Sequence, residues 1–433
     1  MRPVYLLLIA FTLIGTSGCT QQEPLSKKQS TEAIESPTIT PVEYLENHYS
    51  HLNIEDIENY SDLDLLKSDI QDYSVFLTGE YHAVQLNYPI QKKLLWYLNQ
   101  EADVTYYLAE LPYSIGLLYN EYLETGNEEI LDYVQTESKK TANGVVEQYE
   151  FVKDIYQYNQ NVTKEKQIRF LAIDSDISMN IGFTALSLLM KGKEASSDLH
   201  EILSKMDSHI QPGLFFREQA TPEVRNYLEE LIQSVETQRD AYETMLGTEF
   251  QKFEFIVYNM KQGTELIDAN NRSNAEFNVI REGVFKKNFS YWIDQLPENS
   301  KFFGEWGREH IYLSELKTQN YTEQIPHLAQ ILNEEIDQTR GNVLSIGYAY
   351  NNSETLDNQS GESYKFKDDL SNITMLTEHA QSESVTLFKL DSHDSPFHKN
   401  TFFLQNRSLK EGTTHYFQYI ILIQNSKAAG PYQ

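Results

Sequence analysis

DYSVFLTGEYH, from Asp72 to His82, decides how this chain is read. A short apolar run closed by Gly79 has the length and boundary of a buried strand. Glu80 and His82 follow it immediately, where an open α/β sheet places its ligand crevice. Working outward, Leu86–Gln100 has apolar residues at helical spacing and Thr105–Glu110 (TYYLAE) reads as a second strand. Tyr113–Tyr133 is helical with a break at Gly126-Asn127, Glu147–Asn159 is helical again, and Gln167–Asp174 (QIRFLAID) is a third strand. Strand, helix, strand, helix, strand is the order of βαβ units around a parallel sheet.

From 183 to 294 the pattern is almost wholly helical, which suggests an insertion or cap. Strand signals return at Lys301–Phe303, Asn342–Ile346, Ser384–Leu390 and Phe417–Ile423. The expected fold is α/β, an open and mainly parallel sheet flanked by helices and interrupted by a helical cap. Its parts are 41–182, 183–294 and 295–433.

The N-terminus is of another kind. Arg2 precedes an apolar run, Val4–Ile14, of 11 residues, too short to span a ~30 Å bilayer core and suited to a signal-peptide h-region. Gly15-Thr16-Ser17-Gly18-Cys19 then resembles a bacterial lipobox. Residues 1–18 are expected to be a lipoprotein signal peptide, Cys19 the acylated (palmitate-bearing) attachment point, and 19–40 a polar tether. The expected location is the extracytoplasmic face of a bacterial cell membrane. Because Cys19 is the only cysteine of the 433 residues, no intrachain disulfide can form and, once Cys19 is acylated, no cysteine is left as a nucleophile. With 35 Lys+Arg against 64 Asp+Glu the chain carries −29, which repels phosphate backbones and excludes nucleic acid as an expected partner. The sequence does not determine an oligomeric state.

Several common catalytic signatures are absent: G-x-S-x-G, H-E-x-x-H, the phosphate-binding P-loop and G-x-G-x-x-G. What remains is a set of histidines and acids at strand ends. Gly79-Glu80-Tyr81-His82 is one. Glu110 ends the second strand, where a carboxylate is costly unless solvated, paired or bound. Asp174-Ser175-Asp176 follows the third strand, with Asp176 equally suited to capping a helix. Gly304-Glu305-Trp306-Gly307-Arg308-Glu309-His310 follows the KFF strand, and its Gly307–His310 repeats the G-x-x-H spacing of Gly79–His82. Arg281-Glu282 and Asn288 lie on the helix before that strand, Arg281 and Asn288 seven apart and so on one face. His393 and His398 bracket DSPF and read as loop residues.

These stretches resemble the erythromycin esterase family: GEYHAVQLNYPIQKKLLWYL and YYLAELPYSIGLLYNEYLETGN, then IRFLAIDSD, REGVFKKN, FFGEWGREH and SIGYAY, over residues 70–400 or so. The broader superfamily includes ChaN-type haem-binding lipoproteins and Tiki-type metalloproteases. The resemblance implies His82 as catalytic histidine with Glu80 beside it, Glu110 as second acid, His310 as second histidine, and the Arg-acid-x5-Asn helix on Arg281, Glu282 and Asn288. Here only Tyr81 separates Glu80 from His82 and Ala83 follows, where the family usually has one more residue and a Gly.

The expected activity is hydrolysis of an ester, lactone or related carbonyl substrate. His82 would be general base, Glu80 or Glu110 would orient it, and His310 and Arg308 would stabilise the oxyanion. Arg281, Asn288, Asp174 and Tyr113 are the expected substrate contacts, Arg281 holding either a substrate carbonyl or the acids. A metal-assisted variant would place Zn²⁺, Mn²⁺ or Co²⁺ on His82, His310, Glu80 and Glu110. Haem or another small ligand, or a peptide substrate, are the alternatives the superfamily leaves open.

Overall fold

The central strand, β2 (Val75–Glu80), is buried along its first five residues, because both faces of a parallel sheet are covered. A computed structural model describes residues 39–315, 325–366, 368–381, 385–405 and 411–433. The leader, Cys19 and all of the tether before Ile39 lie outside the described residues, as does Ser384, the first residue of one expected strand. Ile39–Gln433 forms one compact unit. No described helix is long and apolar enough to cross a membrane.

The strands, in chain order, are β1 (Tyr49–Leu52), β2, β3 (Val104–Pro112), β4 (Arg169–Asp174), β5 (Lys301–Gly307), β6 (Val343–Asn351), β7 (Ser353–Asp357), β8 (Glu362–Phe366), β9 (Val385–Lys389) and β10 (Tyr419–Gln424). Eight of them form one sheet in the order β1-β9-β10-β6-β2-β5-β3-β4, while β7 and β8 form a separate hairpin. From β10 to β4 all neighbours are parallel; β9 is antiparallel to both β10 and β1. The fold is therefore α/β with a mainly parallel sheet, as expected. The expected strands are present, with β5 running on past KFF to Gly307. The sequence pattern does not show β1 or the polar hairpin β7–β8, since neither has a continuous apolar run.

Side chains alternate across the sheet into two cores. Val75 and Leu77 join Leu108, Phe302 and Trp306 on one face, while Phe76 joins Tyr107, Phe303 and Leu344 on the other. The expected break at Gly126 is real: Tyr113–Thr125 ends with Gly126 in the left-handed region (φ 68°), and Asn127 caps the next helix, Glu128–Ser138, by accepting from Glu129 N at 3.2 Å. Gly116 lets the Tyr113–Thr125 helix lie on β4, where an added Cβ would meet Ala172 Cβ at 2.6 Å.

The 183–294 region is helical throughout its regular elements, the longest being Phe250–Arg272 and Asn274–Ile293. The last of these carries Phe285, Phe289 and Ile293 into the second core. Its other buried positions reach the carboxyl ends of β4 and β5. One helix thus reaches the carboxyl ends of β3 and β4 through Arg281 and Asn288 and the turn after β5 through Glu282, beside the end of β2. There the chain steps from β2 to the right (β3, β4) and back (β5), which is the switch point where α/β sheets bind ligands.

Candidate active site

Glu80 is the last residue of β2, and its carboxylate is held from two sides. His82 Nδ1 donates to Oε1 at 2.6 Å, and Asn87 Nδ2 donates to Oε2 while also reaching the Tyr81 carbonyl at 2.9 Å. Tyr350 OH completes this support by donating to Asn87 Oδ1 at 2.9 Å and accepting from Tyr81 N at 2.9 Å. The turn at His82 depends on Ala83, a non-glycine residue in the left-handed region (φ 57°). With Nδ1 committed to Glu80, Nε2 is the ring atom left for chemistry.

Burial pulls the His82 pKa down, but the Glu80 charge and hydrogen bond, with Glu110 behind them, outweigh it and raise it to about 9. The side chain is 47% exposed to the cleft, so solvent screens part of that pull; the upward direction follows from the 2.6 Å contact.

Glu110, near the end of β3, accepts from Gly307 N at 2.7 Å and from Arg281 Nη2 at 2.9 Å. Burial raises its pKa, and the opposing charges of His310, Arg281 and His82 with the Gly307 N–H bring it down to about 2. Arg281 also bonds Asp174 Oδ2 through Nε (3.0 Å) and Nη2 (2.6 Å). Arg281 therefore holds the acids, the second of its two expected roles.

His310 makes a second carboxylate–imidazole pair: its Nδ1 donates to Glu282 Oε1 at 2.6 Å, and its Nε2 lies 3.5 Å from Glu110 Oε1. Burial opposes its charge, and Glu282 then Glu110 raise its pKa. Gly307 separates the two imidazoles: a Cβ there would lie 3.4 Å from His82 Nε2 and 3.5 Å from His310 Cδ2. The repeated G-x-x-H spacing thus places both rings beside one glycine.

The cleft has two arms sharing Glu80 and His82. The inner arm, about 350 Å³, has Glu110, Asp174, Arg281, Glu305, Tyr88 and Tyr107 among its walls. The outer arm, about 570 Å³, runs past Gly307 and His310 to the β7–β8 hairpin. The helical region contributes Phe215, Phe216 and Arg217 to the inner arm besides Arg281.

Three expected site residues face elsewhere. Arg308 lines the outer arm, but its guanidinium is engaged by Asp368 (2.5 and 3.1 Å) and the Tyr348 carbonyl (3.0 Å), because a buried cation needs a partner. Asn288 is fully buried and bonds the Ile173 carbonyl at 2.9 Å, tying its helix to β4. Tyr113 lies outside both arms and stacks on Trp292 at 5.2 Å.

The expected metal set is also rearranged. His82, His310, Glu80 and Glu110 do not gather their donor atoms around one point; Arg281 and Gly307 N occupy Glu110, and Asn87 and His82 occupy Glu80. Among the described residues it is Glu282, His310 and His327 whose donor atoms lie within 4.8 Å of one another. These N and O donors suit a divalent cation, and Glu282 Oε2 is buried without a hydrogen bond. Sequence reasoning missed Asn87, Tyr350 and Asp368; Asn87 and Tyr350 are polar groups beside apolar residues, while Asp368 sits in a charged run that carries no such signal.

No family model matches the chain, and no curated protein matches it. Solved structures do. A Bacillus cereus protein superimposes with a TM-score of 0.69 at 16% identity, covering 90% of this chain and 98% of its own. A protein described as a succinoglycan biosynthesis protein gives 0.66 at 16% identity, covering 90% and 98%. A mutant erythromycin esterase in its open conformation gives 0.61 at 11% identity, covering 89% of this chain and 99% of that one. The chain therefore has the erythromycin esterase fold over nearly its whole described length, and the sequence resemblance and the fold agree.

Proposed function

We propose that this protein is a hydrolase that activates water with His82 to cleave an ester, lactone or related carbonyl substrate. The observation that carries the reading is the Glu80–His82 pair at the switch point of the sheet, with Nε2 beside Gly307 and His310 across it. Nδ1 keeps its proton on Glu80, so Nε2 is the atom that takes the proton from water. The imidazolium that forms is stabilised by Glu80 and, at longer range, Glu110. His310, charged by Glu282 and Glu110, supplies positive potential on the opposite wall, where the carbonyl oxygen gains charge. Arg281 neutralises Glu110 and Asp174, so the acids can approach without forcing protons onto one another.

A divalent cation, if held by Glu282, His310 and His327, would take the place of the His310 proton and supply the positive charge on that wall; the proton transfers above rest on the chain's own groups. The lipobox-like run supports membrane attachment through acylated Cys19 on the extracytoplasmic side, which palmitate labelling of wild type and Cys19→Ala tests.

The test of function is a panel of esters, lactones and peptides with wild type and His82→Ala, with and without added metal and chelator. Turnover of a carbonyl substrate by wild type, lost in His82→Ala with the fold intact, is the expected result. Near wild-type turnover by His82→Ala would sink the assignment.

A further inference from the structure

Glu305 is an acid of this cleft with no cation among the groups that set its proton affinity. In the parallel register β2 Thr78 stands opposite β5 Glu305, and Glu80 lies two residues beyond Thr78, so both carboxyl groups leave the sheet on one side. Glu305 is 8% exposed, and what it exposes forms part of the inner arm with Glu80 and His82. Its Oε2 accepts from Tyr348 OH at 3.0 Å. The titratable groups facing it are Glu80 from β2, Tyr107 from β3, Tyr348 and Tyr350 from β6, and Tyr88 from the helix Asn87–Ala102. These are carboxylate and phenols. Glu110, by contrast, has Arg281 and two histidines around it. A buried carboxyl group with no cation, facing a carboxylate, is cheaper to keep protonated than to ionise. Burial first and the Glu80 charge second push its pKa well above the usual carboxylate range. Two groups in one cleft whose surroundings drive their proton affinities apart are the pattern of an acid and a base.

We propose that Glu305 is the proton donor of this site, giving its carboxyl proton to the leaving alcohol. This role rests on the hydrolase reading above. The oxygen of water bonds to the carbonyl carbon, and its proton passes to His82 Nε2. As the tetrahedral adduct collapses, the carbon–alkoxy bond breaks, its electron pair stays on the alkoxy oxygen, and that oxygen takes the Glu305 proton. The His82 imidazolium returns its proton to Glu305 through solvent. Ester and water have become carboxylic acid and alcohol.

An acid of this kind matters in proportion to how badly the leaving group departs as an anion. The experiment compares Glu305→Gln with wild type on two esters of one acid, an alkyl ester and a p-nitrophenyl ester. Gln keeps an acceptor for Tyr348 OH and has no proton to transfer. The expected loss in kcat is about 10²–10⁴-fold on the alkyl ester and at least about tenfold smaller on the p-nitrophenyl ester, whose phenolate leaves unaided. Equal losses on both, or none on either, overturn the proposal while leaving the hydrolase reading intact. Cleavage of neither ester by wild type overturns the hydrolase reading and this role with it. The infrared difference spectrum of wild type minus Glu305→Gln at neutral pH gives a readout free of turnover: the Asp176 carboxyl cancels, and a neutral-carboxyl C=O stretch of Glu305 remains. Absence of that band from the difference spectrum overturns the proposal.

Discussion

His82 Nδ1 lies 2.6 Å from Glu80 Oε1, and this single contact decides both which ring nitrogen does chemistry and at what pH. The same carboxylate that orients the ring also favours its charged form, and a charged imidazole cannot accept a proton. On its acid limb kcat/KM is therefore expected to rise with pH as His82 loses its proton, with that inflection displaced from the ordinary histidine value toward about 9. Glu80→Gln removes the main raising influence, so the inflection moves down toward ~6.5 while the maximal rate falls by roughly 10²-fold or more. A pH–rate profile of both proteins measures this; an inflection unmoved by Glu80→Gln would contradict the pairing.

Arg281 should matter to stability more than to recognition. Its guanidinium joins Glu110 on β3 to Asp174 on β4, and all three side chains are mostly buried. Removing the cation leaves Asp174 buried without a cationic partner and Glu110 with His310 alone at 3.5 Å, a loss of about 3–5 kcal/mol. Arg281→Met is expected to lower the urea midpoint accordingly at neutral pH and by less at acid pH, where the carboxylates can take up protons. A midpoint within error of wild type at neutral pH would show that Arg281 is not the clamp.

Gly307 offers a change aimed at the gap between the two histidines. Its backbone (φ −52°, ψ 133°) is open to any residue. A methyl group there would stand 3.4–3.5 Å from both rings, ordinary contact for a Cβ. Gly307→Ala should thus fold with an unchanged melting temperature and lose about tenfold or more in kcat/KM (~1.4 kcal/mol per tenfold), because the methyl takes space needed between His82 and His310. Full activity in the Ala variant would mean that substrate does not enter that gap.

Asp176 gives a pH-dependent stability effect away from the cleft. It is fully buried; Ser114 N donates to Oδ1 at 2.9 Å, and Oδ2 has no hydrogen bond. Burial, with help from the Asp174 charge, raises its pKa from 3.8 to about 7. The folded state then binds this proton more tightly than the unfolded chain does, so the stabilisation is full at low pH and is lost as pH rises from about 4 to about 7. Asp176→Asn keeps the acceptor for Ser114 N without the charge. Its melting temperature should match wild type near pH 4 and exceed it above pH 7. The gain in stability grows by about 1.4 kcal/mol for each pH unit crossed between those limits. Equal melting temperatures at both pH values would refute the buried-acid account.

The order of elements was legible because it is written in local pattern. Apolar runs such as VFL and YIILI predict buried strands wherever they occur, and Gly126 marks its helix end through backbone freedom alone. The polar strands β7 and β8 carry no such signal. Their pairing depends on what lies beside them.

The site divides along the same line. Glu80, His82, Glu110 and His310 stand out in sequence because acids and histidines at strand ends are costly without a use, and parallel strands bring their carboxyl ends to one edge. What each group faces is not local. Arg281 serves Glu110 and Asp174, 171 and 107 residues away in sequence. Arg308 turns to Asp368, and Glu282, read only as a motif position, holds His310. Proton affinity is set by burial and by charges within a few ångströms, so neighbours distant in sequence decide it. By itself the sequence determined a −29, single-cysteine α/β chain with paired acids and histidines at its strand ends. Only the tertiary structure decided which of those acids is ionised, which is neutral, and which histidine nitrogen meets the cleft.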